Sequence, residues 1–293
     1  MEVRVLIFGI TGMLGHIVWQ GLKEDLKIYG TIRGNKKDLI EKHPLFKDGS
    51  KNIIDGIDIL SKDAIDKAIE VANPDIVINC IGIIKQLKEA YDPVLLISVN
   101  SLFPHLLAKK CQEINSKLIH ISTDCVFSGK KGQYCETDVS DAEDLYGRTK
   151  YLGEVTGAGC LTIRTSFIGP ELRGKKSLLE WFLSQKDQVK GYKRAIFSGL
   201  TTYTFMEILR KIVAKYPNLS GTYHIASNPI NKCELLMRLK DVYQKDIDII
   251  PDETIIIDRS LNSSKFKNDT LIKIPEWDEM LRQGTVNIGE EIV

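Results

Sequence analysis

The stretch Val3–Gly15, with the sequence VRVLIFGITGMLG, decides the fold. It opens with a compact apolar run, Val3–Phe8, which is typical of a strand covered on both faces of a sheet. The amphipathic run after it, Met13–Leu26, predicts a helix. The glycines between strand and helix are Gly9, Gly12 and Gly15. Because glycine permits a tight turn and a close approach of the backbone to an anion, this loop predicts a pyrophosphate-binding site at the helix N-terminus.

Short apolar runs alternate with amphipathic ones as far as about residue 165. The other predicted strands cover Lys27–Ile32, Ile53–Ile57, Asp75–Asn79, Leu118–Ser122 and Leu161–Thr165. The other predicted helices cover Lys62–Val71, Pro93–Ile114 and Gly147–Thr156. This alternation is typical of the α/β class. It predicts a Rossmann-type doubly wound parallel sheet with helices on both faces.

After about Gly169 the alternation loosens. Helices are predicted around Leu178–Gln188, Phe205–Tyr216 and Lys232–Tyr243, and the strand signals between them are weak. We expect a nucleotide-binding domain over residues 1–168 and a smaller C-terminal substrate-binding lobe over residues 169–293. No stretch rich in proline, glycine or serine separates the two, so we expect them to be interleaved in one compact unit.

Composition excludes several classes of function. Charged residues make up 27% of the 293 residues but nearly cancel, at a formal net charge of +1, which gives no reason to expect nucleic acid or a membrane surface as partner. The six cysteines are scattered without a CxxC pair, so we expect reduced thiols and no metal site. The first residues run into a strand and not into a signal peptide, and no apolar run reaches ~20 residues. A cytoplasmic protein is therefore predicted.

The end of the second predicted strand bears on the cofactor. A site that prefers NAD usually places an acid there for the ribose 2′-hydroxyl, whereas this chain has Arg33, followed by Lys36 and Lys37. A guanidinium attracts a 2′-phosphate, so NADP(H) is favoured. The alternative interpretation is a solvated basic loop.

A tyrosine and a lysine, Tyr146 and Lys150, stand four residues apart and share a face of a predicted helix. A cation beside a phenol lowers the phenol's pKa, which suits proton donation to a carbonyl oxygen. Thr123 follows the fifth predicted strand, where ligands bind in open sheets, and can orient that oxygen. The two strand histidines, His120 and His224, are interpreted as core residues.

Three segments carry a family resemblance: Ser122–Gly129 (STDCVFSG), Leu145–Glu154 (LYGRTKYLGE) and Asp258–Ser263 (DRSLNS). Together they resemble extended short-chain dehydrogenases, and specifically the dTDP-4-dehydrorhamnose reductases, over nearly the whole chain. The resemblance implies a seven-stranded sheet and NADPH-dependent reduction of the 4-keto group of a nucleotide-activated 6-deoxy-hexulose, in deoxysugar and surface-polysaccharide biosynthesis. It also makes a homodimer an expectation.

Carried over position by position, the resemblance gives a set of site residues. Thr123, Tyr146 and Lys150 would be catalytic, and Thr123, Asp124 and Phe167 would face the sugar nucleotide. With the loop glycines and Arg33, the cofactor set is Gly9, Thr11, Gly12, Met13, Leu14, Gly15, Arg33, Asp58, Ile59, Asn79, Cys80, Ile81 and Gly82, together with Tyr146 and Lys150.

Alternative functions stay open at this point. Cys125 stands where the family usually has tyrosine and matches the epimerising cysteine of GDP-fucose synthases, which suggests a bifunctional 3,5-epimerase/4-reductase. The histidine partner expected after Gly169-Pro170 is replaced by Glu171. A non-catalytic dinucleotide-binding subunit, like the β subunit of methionine adenosyltransferase, is a second alternative. A 4,6-dehydratase is a third, although its usual Asp-Glu pair is half missing at Asp124-Cys125.

Overall fold

The computed structural model describes residues 2–289, so Met1 and residues 290–293 of the predicted domain ranges lie outside the described residues. The strands are β1 Arg4–Phe8, β2 Lys27–Thr31, β3 Ile53–Ile54, β4 Ile76–Asn79, β5 Lys117–Ile121, β6 Cys160–Arg164, β7 Phe167–Ile168, β8 Gln188–Tyr192, β9 Ala195–Phe197, β10 Leu200–Thr201, β11 Gly221–His224, β12 Ile230–Asn231, β13 Asp248–Asp252 and β14 Ile257–Asp258.

The helices lie mostly between these strands. They are α1 Met13–Leu22, α2 Lys36–Lys42, α3 Lys62–Ala72, α4 Pro93–Ile97, α5 Phe103–Glu113, α6 Leu145–Leu152, α7 Leu178–Ser184, α8 Thr202–Lys215, α9 Lys232–Val242, α10 Ser264–Thr270 and α11 Trp277–Gly289. No helix in the described part of the chain is long and apolar enough to cross a membrane.

A seven-stranded sheet in the order β11-β6-β5-β4-β1-β2-β3 forms the centre of the molecule, and all of its neighbouring strands pair in parallel. The α/β class, the doubly wound sheet and the seven strands are therefore confirmed. The strand order reverses between β1 and β4. Ligands of open α/β sheets bind beyond the carboxyl ends of the strands at such a reversal.

The core lies on both faces of this sheet. Val5 and Ile7 of β1 pack into the cluster on one face, and Leu6 and Phe8 pack into the cluster on the other. Successive side chains of a strand point to opposite faces, so a strand covered on both faces needs an unbroken apolar run. This explains why the apolar run alone was enough to predict β1.

Several predicted boundaries are wrong, each for a local reason. The helix predicted over Pro93–Ile114 contains a π-helical segment at Ser98–Leu102, where the Phe103 N–H reaches back five residues to the Ser98 carbonyl. The predicted strand Ile53–Ile57 is only Ile53–Ile54, since β3 pairs at the sheet edge with just two residues of β2.

The helix that carries Tyr146 begins two residues earlier than predicted and ends earlier as well. Asp144 caps it by accepting a hydrogen bond from the Gly147 N–H, at 2.7 Å. At its other end a Cβ on Gly153 would lie 1.9 Å from the Asn100 carbonyl oxygen. Helix α6 therefore ends where only glycine fits against the neighbouring π-helical segment.

From residue 167 onward the chain forms small separate sheets, β10-β7, β12-β9-β14 and β13-β8, and these strands were not predicted. The predicted helix Leu178–Gln188 ends at Ser184, because Gln188 already begins β8. Strand β11 returns to pair with β6 in the main sheet. The boundary at residue 168 stays a prediction, and the return of β11 agrees with two interleaved parts.

Candidate active site

The glycine loop has the geometry of an anion site at a helix N-terminus. Gly9 has a φ of +86°, and a Cβ on Gly15 would lie 2.1 Å from the Gly9 carbonyl oxygen, so neither position tolerates a side chain without distortion. Helix α1 starts after Gly12 without a side-chain cap, which leaves its first N–H groups to be satisfied by a ligand or solvent. Thr11 and Gly12 are exposed at this end.

The end of β2 lies beside this loop. The Thr31 hydroxyl accepts a hydrogen bond from the Gly9 N–H, at 3.2 Å, and Arg33 is exposed two residues further on. Lys36, in the basic loop of the sequence, instead begins α2, and its backbone N–H donates at 3.0 Å to Asp55, the residue after β3. Arg33 thus stands at the carboxyl edge of the sheet, beside the loop.

The segment after β4 forms the next side of the site. Asn79 is fully buried; its Oδ1 accepts from the Ile81 N–H at 3.0 Å and its amide donates to His120 Nδ1 at 3.1 Å. The buried Asn79 side chain therefore fixes the position of the backbone at Ile81. A Cβ on Gly82 would lie 3.8 Å from Lys150 Nζ, so this backbone borders the predicted catalytic lysine.

Two predicted adenine contacts lie further along the same edge. Asp58 is exposed and accepts a hydrogen bond from the Leu60 N–H, at 3.0 Å. Ile59 is half-buried and packs against the core cluster on one face of the sheet. Their roles as cofactor contacts stay predictions.

The three predicted catalytic side chains meet at the carboxyl end of β5. Lys150 is buried, and its Nζ donates to the Ile121 carbonyl at 2.8 Å. The Thr123 hydroxyl donates to Asp124 Oδ1 at 3.1 Å and accepts from the Cys125 N–H at 3.1 Å. It also acts on Tyr146, whose pKa it lowers against the opposing effect of burial. Helix α6 is held against the Cys125 carbonyl because Gly147 has no side chain: a Cβ there would lie 2.2 Å from that oxygen.

The electrostatics of this cluster differ from the sequence-based expectation. Burial raises the pKa of Tyr146 above its ordinary value, and the hydrogen bond with Thr123 opposes this only in part. Burial lowers the pKa of Lys150 to about 8, against the opposing effect of Glu154. Burial therefore outweighs the expected lowering of the phenol's pKa in this structure, in which the Lys150 ammonium contacts a backbone carbonyl. The role of the lysine toward a phenolate stays a prediction.

Asp124 and Cys125 directly follow Thr123 and begin a short helical turn at the end of β5. Burial raises the pKa of the Asp124 carboxyl, and the nearby charges of Arg259 and Lys232 oppose that shift. Burial, reinforced by the Asp124 charge, raises the pKa of the Cys125 thiol to about 12. The thiol is therefore protonated at neutral pH.

Sequence reasoning missed two cations of the C-terminal lobe, Lys232 and Arg259, whose charges act on Asp124. Lys232 begins α9, and its Nζ lies 4.3 Å from the centroid of the Phe197 ring, while its charge interacts with Asp124 and Cys125. Arg259 donates through Nε to the Phe127 carbonyl at 2.8 Å. No sequence motif identifies Lys232, because it is more than a hundred residues from Asp124 in the chain and only the fold brings the two charges close enough to interact.

Phe167, the predicted substrate contact, is half-buried in β7. Its ring packs edge-on against Phe205, with the ring centroids 4.9 Å apart. It therefore contributes to the core that joins β7 to α8, and its contact with substrate stays a prediction.

Both strand histidines are core residues, but only one is satisfied. His224 bonds Arg164 at 3.3 Å and the Tyr134 carbonyl at 2.9 Å. His120 is fully buried, and its Nε2 has no hydrogen-bond partner in the described part of the chain. Burial lowers the pKa of His120 well below its ordinary value, so its ring is neutral.

No group of three or more residues that could hold a metal occurs among residues 2–284, whose side chains the structure describes.

A glycine-loop nucleotide site and a tyrosine–lysine helix on one parallel sheet, with a C-terminal lobe above them, define the extended short-chain dehydrogenase class. Within that class, the chain belongs to the family described as the RmlD substrate binding domain, whose sequence profile matches residues 3–287.

Named relatives agree with this placement. The chain is 26% identical over 241 residues to a dTDP-4-dehydrorhamnose reductase of Burkholderia thailandensis, a match that covers 77% of this chain and 73% of the relative. It is 28% identical over 261 residues to methionine adenosyltransferase 2 subunit beta of Rattus norvegicus, covering 82% and 72%. In other curated relatives the match spans 30%, 56% or 62% of their length.

A solved structure shares the fold. The dTDP-4-dehydrorhamnose reductase of Bacillus anthracis, solved in complex with NADP, matches with a TM-score of 0.80 over 98% of this chain and all of that one, at 20% identity. At 20% identity this match shows that the two proteins share a fold, and it does not show a shared function.

Proposed function

We propose that this protein is an NADPH-dependent reductase of the 4-keto group of a nucleotide-activated 6-deoxy-hexulose. The observation that carries the proposal is that the Lys150 ammonium binds the Ile121 carbonyl at the carboxyl end of β5, two residues before Thr123, whose hydroxyl acts on Tyr146 of the same helix, on the sheet edge that also bears the glycine loop. Family membership and the reductases among its relatives support the substrate class.

The glycine loop and the end of β2 fit a phosphorylated dinucleotide. The uncapped start of α1 suits the pyrophosphate, and the exposed Arg33 suits a 2′-phosphate. When bound, NADPH supplies the hydride that reaches the carbonyl carbon.

Tyr146 then gives its proton to the carbonyl oxygen. Its raised pKa means that it is a neutral phenol near pH 7 and has a proton to give. Thr123 orients the oxygen by its hydroxyl, which also acts on the pKa of the phenol. Lys150, protonated below about pH 8, stabilises the phenolate left behind and contacts the nicotinamide ribose.

The C-terminal lobe supplies charge for the substrate. Lys232 and Arg259 carry charges that act on Asp124, and these charges suit the diphosphate that links nucleoside and sugar. Lys85, whose charge also acts on Cys125 and Lys232, is a third cation at this side.

Reduction without epimerisation is the simpler assignment. A base that removes a proton next to a ketone must be ionised, and a thiol with a pKa of about 12 holds its proton at neutral pH. Cys125 is therefore assigned to packing beside Thr123.

The test is NADPH oxidation with dTDP-, UDP- and GDP-linked 4-keto-6-deoxy-hexoses, run in D2O with NMR of the product. Oxidation with one nucleotide supports the reductase and names its substrate. Deuterium at C3 or C5 of the product would reassign Cys125 to epimerisation.

The match to methionine adenosyltransferase 2 subunit beta favours one competing role, that of a dinucleotide-binding subunit. This role predicts tight NADPH binding with no oxidation in the presence of any of these sugars. That result would overturn the reductase.

A further inference from the structure

Glu154 lies buried at the junction of β5, α6 and β6, and none of the roles above uses it. Its side chain is 5% exposed, as is that of its ion-pair partner Arg164. Arg164 donates through Nε to Oε1 at 2.8 Å and through Nη2 to Oε2 at 2.7 Å, and the Ser122 hydroxyl donates to Oε1 at 2.7 Å. Every carboxylate oxygen thus has a partner, which a buried ion pair requires.

Local sequence explains how the carboxylate reaches this place. Helix α6 ends before Gly153, whose missing side chain lets the chain pass the Asn100 carbonyl. After this turn Glu154 reaches Ser122 at the end of β5 and Arg164 on β6. Its charge acts on Lys150 of α6 from there.

Arg164 is fixed on its other side as well. Its Nη1 lies 3.3 Å from His224 Nε2, and His224 Nδ1 donates to the Tyr134 carbonyl at 2.9 Å. Nδ1 therefore carries the ring proton and Nε2 accepts from the guanidinium. Burial lowers the pKa of His224 to about 3, so the ring stays neutral. The guanidinium also faces the Phe127 ring, 5.1 Å from its centroid.

The end of β5 is thus held at three successive residues. Lys150 binds the Ile121 carbonyl, Glu154 binds the Ser122 hydroxyl, and the Thr123 hydroxyl accepts from the Cys125 N–H and donates to Asp124. We propose that Glu154 is a positioning residue, which locks the end of β5 to α6 and so sets where Thr123 stands relative to Tyr146 and Lys150. The proposal rests on the proposed reductase only for what the positioned groups do.

Glu154 also acts on Lys150 through its charge. Its carboxylate raises the pKa of Lys150 against the lowering by burial. The charge of Lys150 also acts on His120 of β5, which is neutral near pH 7 because burial lowers its pKa well below its ordinary value. Tyr146, four residues earlier on α6, is neutral as well, because burial raises its pKa. Removing the carboxylate should therefore deprotonate Lys150 at lower pH.

The first experiment measures the pKa of Lys150 by NMR of lysine side chains labelled with ¹⁵N, assigned with Lys150→Arg. In Glu154→Gln we expect that pKa to fall by about one unit. Ser122→Ala keeps the ion pair and removes one hydrogen bond, so the Lys150 pKa should stay while kcat falls roughly tenfold at unchanged KM. The matched control is Asp66→Asn, which removes the carboxylate that pairs with Lys110 at 2.7 Å on the far surface, and should change neither quantity.

Glu154→Gln leaves a buried guanidinium without its partner, so its fold is checked by thermal unfolding. The double variant Glu154→Met with Arg164→Met removes both charges and keeps a second folded protein available. An unchanged Lys150 pKa in a folded variant, or unchanged kcat in Ser122→Ala, overturns the proposal. The NMR measurement needs no turnover, so a fallen pKa in a protein that reduces no sugar nucleotide would refute the reductase and leave the charge coupling intact.

Discussion

The catalytic corner and the cofactor corner of the sheet edge are built in opposite ways. In the catalytic corner, at the ends of β5 and α6, the polar groups are buried and bonded to one another, as Lys150 is to Ile121 and Glu154 to Ser122. In the cofactor corner, at the ends of β1 and β2, Thr11 and Arg33 are exposed, and the shape comes from glycine backbone.

This difference indicates which corner should control which property of the proposed reductase. Groups that are fixed by buried contacts before substrate arrives need no reorganisation during the reaction, so the catalytic corner should control rate. An exposed charge contributes when a ligand reaches it, so the cofactor corner should control affinity and cofactor choice. Substitutions in the two corners should separate kcat from binding.

Tyr146→Phe should give the largest effect. It removes the proton donor from the catalytic corner without changing the cofactor corner, so kcat should fall by about 10²–10⁴-fold. The dissociation constant of NADPH, measured by fluorescence titration, should change less than about threefold. Turnover equal to that of the unmodified protein would remove Tyr146 as the acid.

Arg33→Ala should change binding and leave chemistry alone. Loss of a charge-assisted contact with the 2′-phosphate should weaken NADPH by roughly 10- to 100-fold, because such contacts contribute about 1.5–3 kcal/mol. NADH affinity should stay within about twofold, and kcat at saturating NADPH should be unchanged. Equal losses for both cofactors would exclude the 2′-phosphate role.

Much of both corners was open to prediction from the sequence, because local patterns encode them. The strand–glycine–helix order over Val3–Leu22 is contiguous in the chain, and the four-residue spacing of Tyr146 and Lys150 places them on one helix face. A strand that is buried on both faces of a sheet can be recognised in the sequence by an unbroken apolar run. These parts need no knowledge of distant contacts.

The parts that escaped prediction depend on distant contacts. Burial raises the pKa of Tyr146, and the four-residue spacing to Lys150 does not reveal that burial. Lys232 and Arg259 reach the site from separate turns of the lobe, and the strands there are mostly two to five residues long. So short a strand gives too little alternation to be recognised.

The pH dependence of kcat sharpens the comparison further. Lys150 must be protonated to stabilise the Tyr146 phenolate, and burial lowers its pKa to about 8. The rate should therefore be level below that pH, fall to about half near pH 8, and fall roughly tenfold per unit above it.

Lys150→Arg provides the control for this profile. Its guanidinium keeps its charge throughout the range, so whatever rate remains should show no such alkaline limb. An alkaline limb at the same pH in this variant would assign the titration to another group.

Cys125→Ser should have the smallest effect, although the residue lies beside Thr123. The bond that orients the threonine comes from the Cys125 backbone N–H, at 3.1 Å, and survives the substitution. The thiol itself stays protonated, because burial raises its pKa to about 12. We therefore expect kcat within about twofold of the unmodified protein, since a small and nearly isosteric change in a buried side chain disturbs little else. If the unmodified protein incorporates solvent deuterium into the sugar and Cys125→Ser does not, the thiol takes part in chemistry, and the catalytic corner extends one residue further than its buried contacts indicate.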